Sequence, residues 1–155
     1  MHRRTLLGAV VAGVVVFGTA RAGGKPKAAG PKVVVHKDPY CGCCSLWVEH
    51  MRQAGFAVEV RDTDALDAVK ARLGVPTGQQ SCHTAEVGGY FVEGHIPATD
   101  VKRLLADKPK ARGLALAGMP LGSPGMDQNV PASMVRPYTV HLIDLAGRAV
   151  AFSTH

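Results

Sequence analysis

Three cysteines within four residues, placed between a predicted strand and a predicted helix, constrain the fold of this chain more than any other feature. Val33 to His36 is a short β-branched run, and after an Asp-Pro break come Cys41, Cys43 and Cys44. Ser45 to Ala54 then has apolar residues at helical spacing and is followed by a glycine that ends the helix. The cysteines therefore lie at a strand-to-helix turn, which indicates an α/β fold.

The following residues extend this unit to the order βαβαββα. Alternating apolar and polar residues predict further strands, and apolar stripes between capping residues and stop signals predict further helices. The predicted strands are Phe56–Arg61, Thr84–Val87 and Tyr90–Glu93, and the predicted helices run from Thr63 to Gly74 and from Pro97 to just before Pro109. This order, with a cysteine motif at the first strand-to-helix turn, predicts a thioredoxin-like mixed sheet flanked by helices.

Two further features follow the predicted core. Gly113 to Pro137 is a 25-residue segment rich in glycine and proline, which predicts a long functional or mobile loop. Tyr138–Ile143 and Arg148–Phe152, joined by a short turn, predict an extra C-terminal β-hairpin. The sequence does not indicate where this hairpin packs.

The first 32 residues are expected to lie outside the domain. Arg3 and Arg4 precede an apolar run from Leu6 to Phe17, and an Ala-Arg-Ala cleavage pattern ends at Ala22. Residues 1–22 are therefore predicted to be a signal peptide, by either the general secretory or the twin-arginine route, and the chain to be periplasmic or otherwise exported. Residues 23–32 are predicted to be a flexible leader, and residues 33–155 to form one domain.

The charge of the chain belongs mostly to this N-terminal part. The whole sequence has a formal net charge of +6, but from Val33 onward 12 Lys and Arg residues face 12 Asp and Glu residues. Binding to nucleic acid needs a basic face, and stacking on bases needs aromatic side chains, which make up only 5% of the chain. Nucleic acid is therefore excluded as the expected partner, and no membrane span is expected after signal cleavage.

The cysteines predict thiol chemistry. Thiols at a helix N-terminus have a lowered pKa, and the thiolate either attacks disulfides or binds soft metals. Cys82 precedes the third predicted strand, which in the predicted topology runs antiparallel beside the first, so we expect it to join Cys41, Cys43 and Cys44. The alternative is a purely structural role, in which the four cysteines form two disulfides. Adjacent Cys43 and Cys44 do not readily pair with each other, however.

Copper is the metal that the residue types favour. Thiolates and thioethers are soft ligands, and Met119 and Met126 lie in the glycine-rich and proline-rich segment, although they could equally fill gaps in the packing. Zinc is disfavoured, because the Cys-x-Cys-Cys spacing is not that of paired zinc ligands. His83 is the first candidate nitrogen ligand, with His95 and His36 behind it. Thiolates this close together could bridge more than one metal ion. Trp47, on the predicted helix after the cysteines, is expected to pack in the core.

Three segments carry a family resemblance: YCGCCSLWVEHMRQAGF, RLGVPTGQQSCHTAEVGGYFVEGHIPATDVKRLL and GMPLGSPGMD. Together they resemble the CopG-type proteins, a bacterial family long described as a domain of unknown function, and the similarity spans about Val33 to Phe152. The resemblance implies an exported, thioredoxin-like protein of copper resistance. It also implies that Cys41, Cys43, Cys44 and Cys82 are the metal-binding or redox thiols, with the loop from Met119 to Met126 close to them.

Two functions follow. The first is an exported protein that binds copper as Cu(I) for resistance, storage or transfer, with periplasmic copper-handling proteins as partners and with copper redox chemistry as an extension. The second is a thiol-disulfide oxidoreductase in which Cys41 attacks and Cys44 or Cys82 resolves, so that Cys41 and Cys44 are the redox candidates. The proline that thioredoxins place before the third strand is replaced by Cys82-His83, which favours the metal reading.

Overall fold

In the part of the chain that the structure describes, seven strands form one mixed sheet, and three helices pack against it. The protein is represented by a computed structural model that describes residues 30–155, so the predicted signal peptide and most of the predicted leader lie outside the described residues. In chain order the elements are β1 (Lys32–Lys37), α1 (Gly42–Gln53), β2 (Ala57–Asp62), α2 (Leu66–Leu73), β3 (His83–Val87), β4 (Tyr90–Glu93), α3 (Ala98–Asp107), β5 (Ala111–Ala115), β6 (Thr139–Asp144) and β7 (Ala149–Thr154), with short 3-10 turns at Thr77–Gln79 and Ala132–Met134.

The predicted order βαβαββα is present from β1 to α3. The sheet order is β2-β1-β3-β4-β5-β6-β7. β1 runs parallel to β2 and antiparallel to β3, and β3 pairs antiparallel with β4. Val33 and Val35 of β1 belong to the same buried core as Trp47 and Met51 of α1, so Trp47 lies in the core as expected. The mixed α/β architecture predicted from the sequence is confirmed.

The main error of the sequence prediction is β5, which lies partly inside the segment predicted to be a loop. The strand has the sequence ARGLA, without a β-branched or aromatic residue, and it therefore gives no strand signal. Gly113 is required there, because a Cβ atom at this position would lie 2.0 Å from the carbonyl oxygen of Phe91 on β4. The true loop is thus shorter than predicted, and it follows Ala115.

β5 also settles where the C-terminal hairpin packs. β5 runs parallel to β4, and β6 pairs antiparallel with β5, so the hairpin extends the central sheet. Both hairpin strands begin one residue later than predicted and β7 ends two residues later, at Thr154. Within residues 30–155, no helix combines the length and the apolar character that crossing a membrane requires.

Three boundaries near the cysteines also differ from the prediction. β1 begins at Lys32, one residue earlier than predicted, and the carbonyl of Pro31 accepts a hydrogen bond from the backbone N–H of Ala57 at 3.1 Å. β2 is shifted by one residue. α1 begins at Gly42 and not at Ser45, because Cys41 has extended backbone angles and acts as the N-cap residue. Cys43 and Cys44 are therefore inside the first turn of the helix.

Candidate metal centre

The structure brings the four cysteine sulfur atoms together, all within 4.8 Å of one another. The Sγ atom of Cys82 lies 3.4 Å from that of Cys44 and 4.0 Å from that of Cys43, and Cys43 lies 3.5 Å from Cys41. Cys41 and Cys44 form a disulfide, which leaves Cys43 and Cys82 as free thiols. The expected convergence of Cys82 with the other three is therefore present in the fold.

The sheet topology explains this convergence. β1 and β3 are antiparallel neighbours, and Lys37 at the end of β1 pairs with His83 at the start of β3. The residue after the end of β1 and the residue before the start of β3 are therefore on the same edge of the sheet. This geometry places Cys82 opposite the first turn of α1, although 38 residues separate it from Cys44.

Buried Lys37 fixes the loop that leads into Cys41. Its ammonium group donates to the carbonyl oxygen of Asp38 at 2.9 Å and to that of Pro39 at 3.4 Å, and it forms an ion pair with Asp62 at 3.2 Å. The first turn of α1 contains no acidic side chain. Thiolates at this end of the helix therefore meet unpaired backbone N–H groups and no carboxylate, an arrangement that favours negative charge.

Cys82 is held as a neutral thiol when no metal is bound. Burial, together with the nearby Cys43, raises the pKa of Cys82 to about 12. A metal that binds this sulfur must therefore displace a proton. The site favours a strongly thiophilic ion, because a weaker one does not compensate for the loss of that proton.

His95 is the nitrogen ligand candidate closest to a sulfur. Its Nδ1 lies 2.8 Å from the carbonyl oxygen of Pro124, and because a carbonyl only accepts, Nδ1 carries the proton. Nε2 then presents its lone pair toward Cys82, whose Sγ is 3.0 Å away. Burial lowers the pKa of His95, so the ring is neutral at physiological pH. A neutral imidazole with a free lone pair is the form that binds metals.

His83 is completely buried beside the same sulfur. Its Nδ1 lies 3.5 Å from the Sγ of Cys82, and its Nε2 is a buried atom without a hydrogen-bond partner within residues 30–155. The ring packs against Trp47 and His95, with ring centroids 4.5 Å and 5.0 Å apart. Burial holds the pKa of His83 well below its usual value. Cys82, His83 and His95 thus form a second group of three possible ligands that shares Cys82 with the first.

Three other histidines, His36, His50 and His155, contact groups outside the thiol cluster. His36, the third histidine that the sequence proposed for the cluster, bonds to Glu86 at 2.9 Å and is absent from both ligand groups. His50 accepts a hydrogen bond from the backbone N–H of Ala98 at 3.0 Å, so it caps the first turn of α3. His155 bonds to the buried carboxylate of Asp100 at 2.8 Å.

The loop that contains both methionines packs beside the thiols. The hydroxyl of Ser81 donates to the carbonyl of Gly118, and the carbonyl oxygen of Pro124 accepts a hydrogen bond from Nδ1 of His95. Gly125 approaches the first turn of α1 so closely that a Cβ atom there would lie 2.8 Å from the carbonyl oxygen of Cys43. Met119 is half exposed, at 49%, and Met126 is partly buried. Ligation by either methionine stays a prediction.

Comparisons with known proteins agree with this arrangement. The chain is 38% identical in sequence to a solved structure of copper resistance protein CopG, form 2, with a TM-score of 0.76, covering 81% of this chain and 98% of that one. Form 1 of the same protein gives 39% identity and a TM-score of 0.74, covering 80% and 96%. The chain belongs to the CopG family. No curated protein matches it.

A second comparison identifies the part of the CopG-family chain that carries the family pattern. A family described as a protein of unknown function, DUF411, matches residues 79–126. This segment contains Cys82, His83, His95, Met119 and Met126, and it excludes the cysteines of α1. His83, the first nitrogen ligand expected from the sequence, lies 3.5 Å from the Sγ of Cys82, whereas His95 lies closer, at 3.0 Å. His95 lies two residues after Glu93, the last residue of β4, and β4 is the strand paired with β3, which brings His95 to the same end of the sheet as Cys82.

Proposed function

We propose that this CopG-family protein binds copper as Cu(I) through the thiolates of Cys41, Cys43, Cys44 and Cys82. The observation that carries the proposal is the meeting of four sulfur atoms within 4.8 Å on two separate segments of the chain. Thiolates are soft ligands that select Cu(I) over the harder divalent ions. Copper here is the cargo of the protein, and its tight capture serves copper resistance, storage or transfer.

The donor set also accommodates more than one ion. Neighbouring sulfur atoms 3.4 to 4.0 Å apart are close enough for a thiolate to bridge two metal ions. His95 and His83 each offer a neutral imidazole near Cys82, through Nε2 of His95 at 3.0 Å and Nδ1 of His83 at 3.5 Å from the sulfur atom. Thioethers from Met119 or Met126 would complete a sulfur-rich shell.

Loading with Cu(I) requires the reduced protein. The Cys41–Cys44 disulfide takes up two electrons and two protons to give two thiols, and the cluster then has four thiols in total. Each Cu(I)–thiolate bond forms with loss of the thiol proton. The oxidation state of this pair therefore controls how many sulfur ligands the site offers, which links copper binding to redox chemistry.

We also propose that the chain acts outside the cytoplasm. The support is the sequence of residues 1–22, which has two arginines, an apolar run too short to span a membrane and a small-residue cleavage pattern. Export would bring the chain to the bacterial periplasm, where the partners would be other copper-handling proteins.

The test is an anaerobic competition titration of the reduced chain, without residues 1–22, against a Cu(I) chelator. We expect tight binding of at least one Cu(I) per chain, and loss of that binding in Cys82→Ser, which nearly preserves side-chain volume. Ser45→Ala, on the exposed side of the first turn of α1, is the matched control and should bind as the parent does. Failure of the parent chain to compete with even a weak chelator would refute the proposal.

A second candidate is a thiol-disulfide oxidoreductase, and the Cys41–Cys44 disulfide at the start of α1 favours it. In its reduced form Cys41 would attack a disulfide of the substrate, and Cys44 would release the product by forming the intramolecular disulfide. The Cys44→Ser variant should then accumulate a mixed disulfide through Cys41. If no mixed disulfide accumulates while the parent chain binds Cu(I), the copper function stands alone.

A further inference from the structure

A buried ion pair lies directly behind the segment that contains Cys82. Lys70 of α2 is 3% exposed, Glu93 at the end of β4 is fully buried, and the ammonium of Lys70 donates to Oε1 of Glu93. Thr84 of β3 completes the network, because it accepts from Lys70 at 2.9 Å and donates to Oε2 of Glu93 at 2.6 Å. A buried ion pair costs desolvation energy that apolar side chains would avoid, so its use at this position indicates a role beyond packing.

The carboxylate of Glu93 also accepts hydrogen bonds from the residues on both sides of the dipeptide Cys82-His83. On one side, Oε1 of Glu93 accepts a hydrogen bond from the backbone N–H of Ser81 at 2.6 Å. On the other side, Oε2 accepts from the hydroxyl of Thr84. The residues immediately before and after Cys82-His83 are therefore held by a single carboxylate, and the hydrogen bond from Lys70 keeps that carboxylate in place.

These hydrogen bonds matter because Cys82, unlike the other three cysteines, is not positioned by the start of a helix. Cys41, Cys43 and Cys44 are positioned by α1, whereas Cys82 lies between a 3-10 turn and the first residue of β3. Hydrogen bonds to a charged group are stronger than those between neutral groups. Glu93 thus replaces regular secondary structure as the support of Cys82.

We infer that Glu93, held by Lys70, is the positioning residue of the metal centre: it fixes Cys82 opposite the thiols of α1 and thereby sets the affinity for Cu(I). The inference rests on the proposed copper function for its metal but not for its geometry. The affinity for Cu(I) then depends on the hydrogen-bond network of Glu93, Lys70 and Thr84, none of which is a metal ligand. Lys70 makes α2 part of the support of the site.

The test uses Glu93→Gln, which preserves shape but replaces one accepting oxygen with a donating NH2 group. Two properties are measured. The first is the dissociation constant for Cu(I), and we expect it to rise about tenfold, as is typical when a group that orients a ligand is lost. The second needs no copper: in a chain carrying Cys41→Ser and Cys43→Ser, the rate at which diamide forms a Cys44–Cys82 disulfide should fall severalfold.

Two further variants separate positioning from general destabilisation. Val87→Ala, at the opposite end of β3, removes buried apolar volume far from Cys82 and should leave both properties unchanged at a temperature where both variants are fully folded. Lys70→Arg keeps a cation beside Glu93 and should retain more Cu(I) affinity than Lys70→Met. If Glu93→Gln does not fold, Thr84→Val removes one contact of the carboxylate and should act in the same direction.

The inference is overturned if Glu93→Gln, or Thr84→Val in its place, changes the dissociation constant and the disulfide rate no more than Val87→Ala does. It is also overturned if Lys70→Met and Lys70→Arg are equivalent. If the parent chain does not bind Cu(I), the proposed function fails separately, and the disulfide rate still decides whether Glu93 positions Cys82.

Discussion

Substitution of Gly125 by alanine tests whether the loop after β5 is an integral part of the thiol site. Gly125 has a φ of +83°, and a Cβ atom there would lie 2.8 Å from the carbonyl oxygen of Cys43 and 2.9 Å from the backbone nitrogen of Trp47. Both neighbours are backbone atoms of α1, so no side-chain rotation relieves the contact. The loop, the helix or both must shift.

The expected loss of stability follows from two separate costs. A left-handed backbone costs a residue with a Cβ atom about 1–2 kcal/mol. Forcing extra volume into a packed contact costs about 1–3 kcal/mol. We therefore expect Gly125→Ala to lower the free energy of unfolding by about 3 kcal/mol. The Cu(I) affinity should fall as well, because the carbonyl of Pro124 in the same loop accepts the hydrogen bond that orients His95.

Two matched glycines separate these costs in a urea denaturation series followed by far-ultraviolet circular dichroism. Gly118 has a φ of +68° but open space around its Cβ position within residues 30–155, so Gly118→Ala should cost only the backbone part, about 1–2 kcal/mol. Gly42 has neither constraint, and Gly42→Ala should change stability by less than about 1 kcal/mol. The reasoning is refuted if Gly125→Ala is as stable as Gly42→Ala.

Two further predictions concern the hydrogen bonds and protons around the site. The indole N–H of Trp47 donates to the carbonyl of Ile96 at 2.8 Å, so Trp47→Phe should lower the free energy of unfolding by about 2 kcal/mol, and a change near zero in urea denaturation would contradict this. The pKa of Cys82 is raised to about 12, so below that pH the thiol keeps a proton that copper must displace. The affinity for Cu(I) should therefore rise with pH by about tenfold per unit for each proton displaced, and equal affinities at pH 6 and pH 8 would contradict it.

Local sequence patterns predicted those parts of the fold that depend on local signals. The β-branched run before Cys41 and the apolar stripe after it specified β1 and α1, and the antiparallel return of β3 then predicted the position of Cys82. β5 gave no such signal, because its small residues are selected by close contact with β4. Gly113 is a glycine for that reason, and the reason lies in a neighbouring strand.

The support of the site was also beyond the reach of local patterns. Lys70 belongs to a helix with a polar face, and Glu93 ends a short strand. Nothing in either segment indicates that these two residues, 23 positions apart in the sequence, form an ion pair in the interior. Which histidine lies closer to the sulfur of Cys82 also depends on tertiary contacts. His83 adjoins Cys82 in sequence, but His95 is oriented by Pro124, a residue of the distant loop.

The most direct test of the central claim is X-ray absorption at the copper edge of the anaerobically loaded chain. The account predicts Cu(I) with a first shell dominated by sulfur, and a smaller sulfur contribution in Cys82→Ser. A first shell of only nitrogen and oxygen atoms, or a sulfur shell that is unchanged in Cys82→Ser, would contradict the claim that the two segments hold copper together.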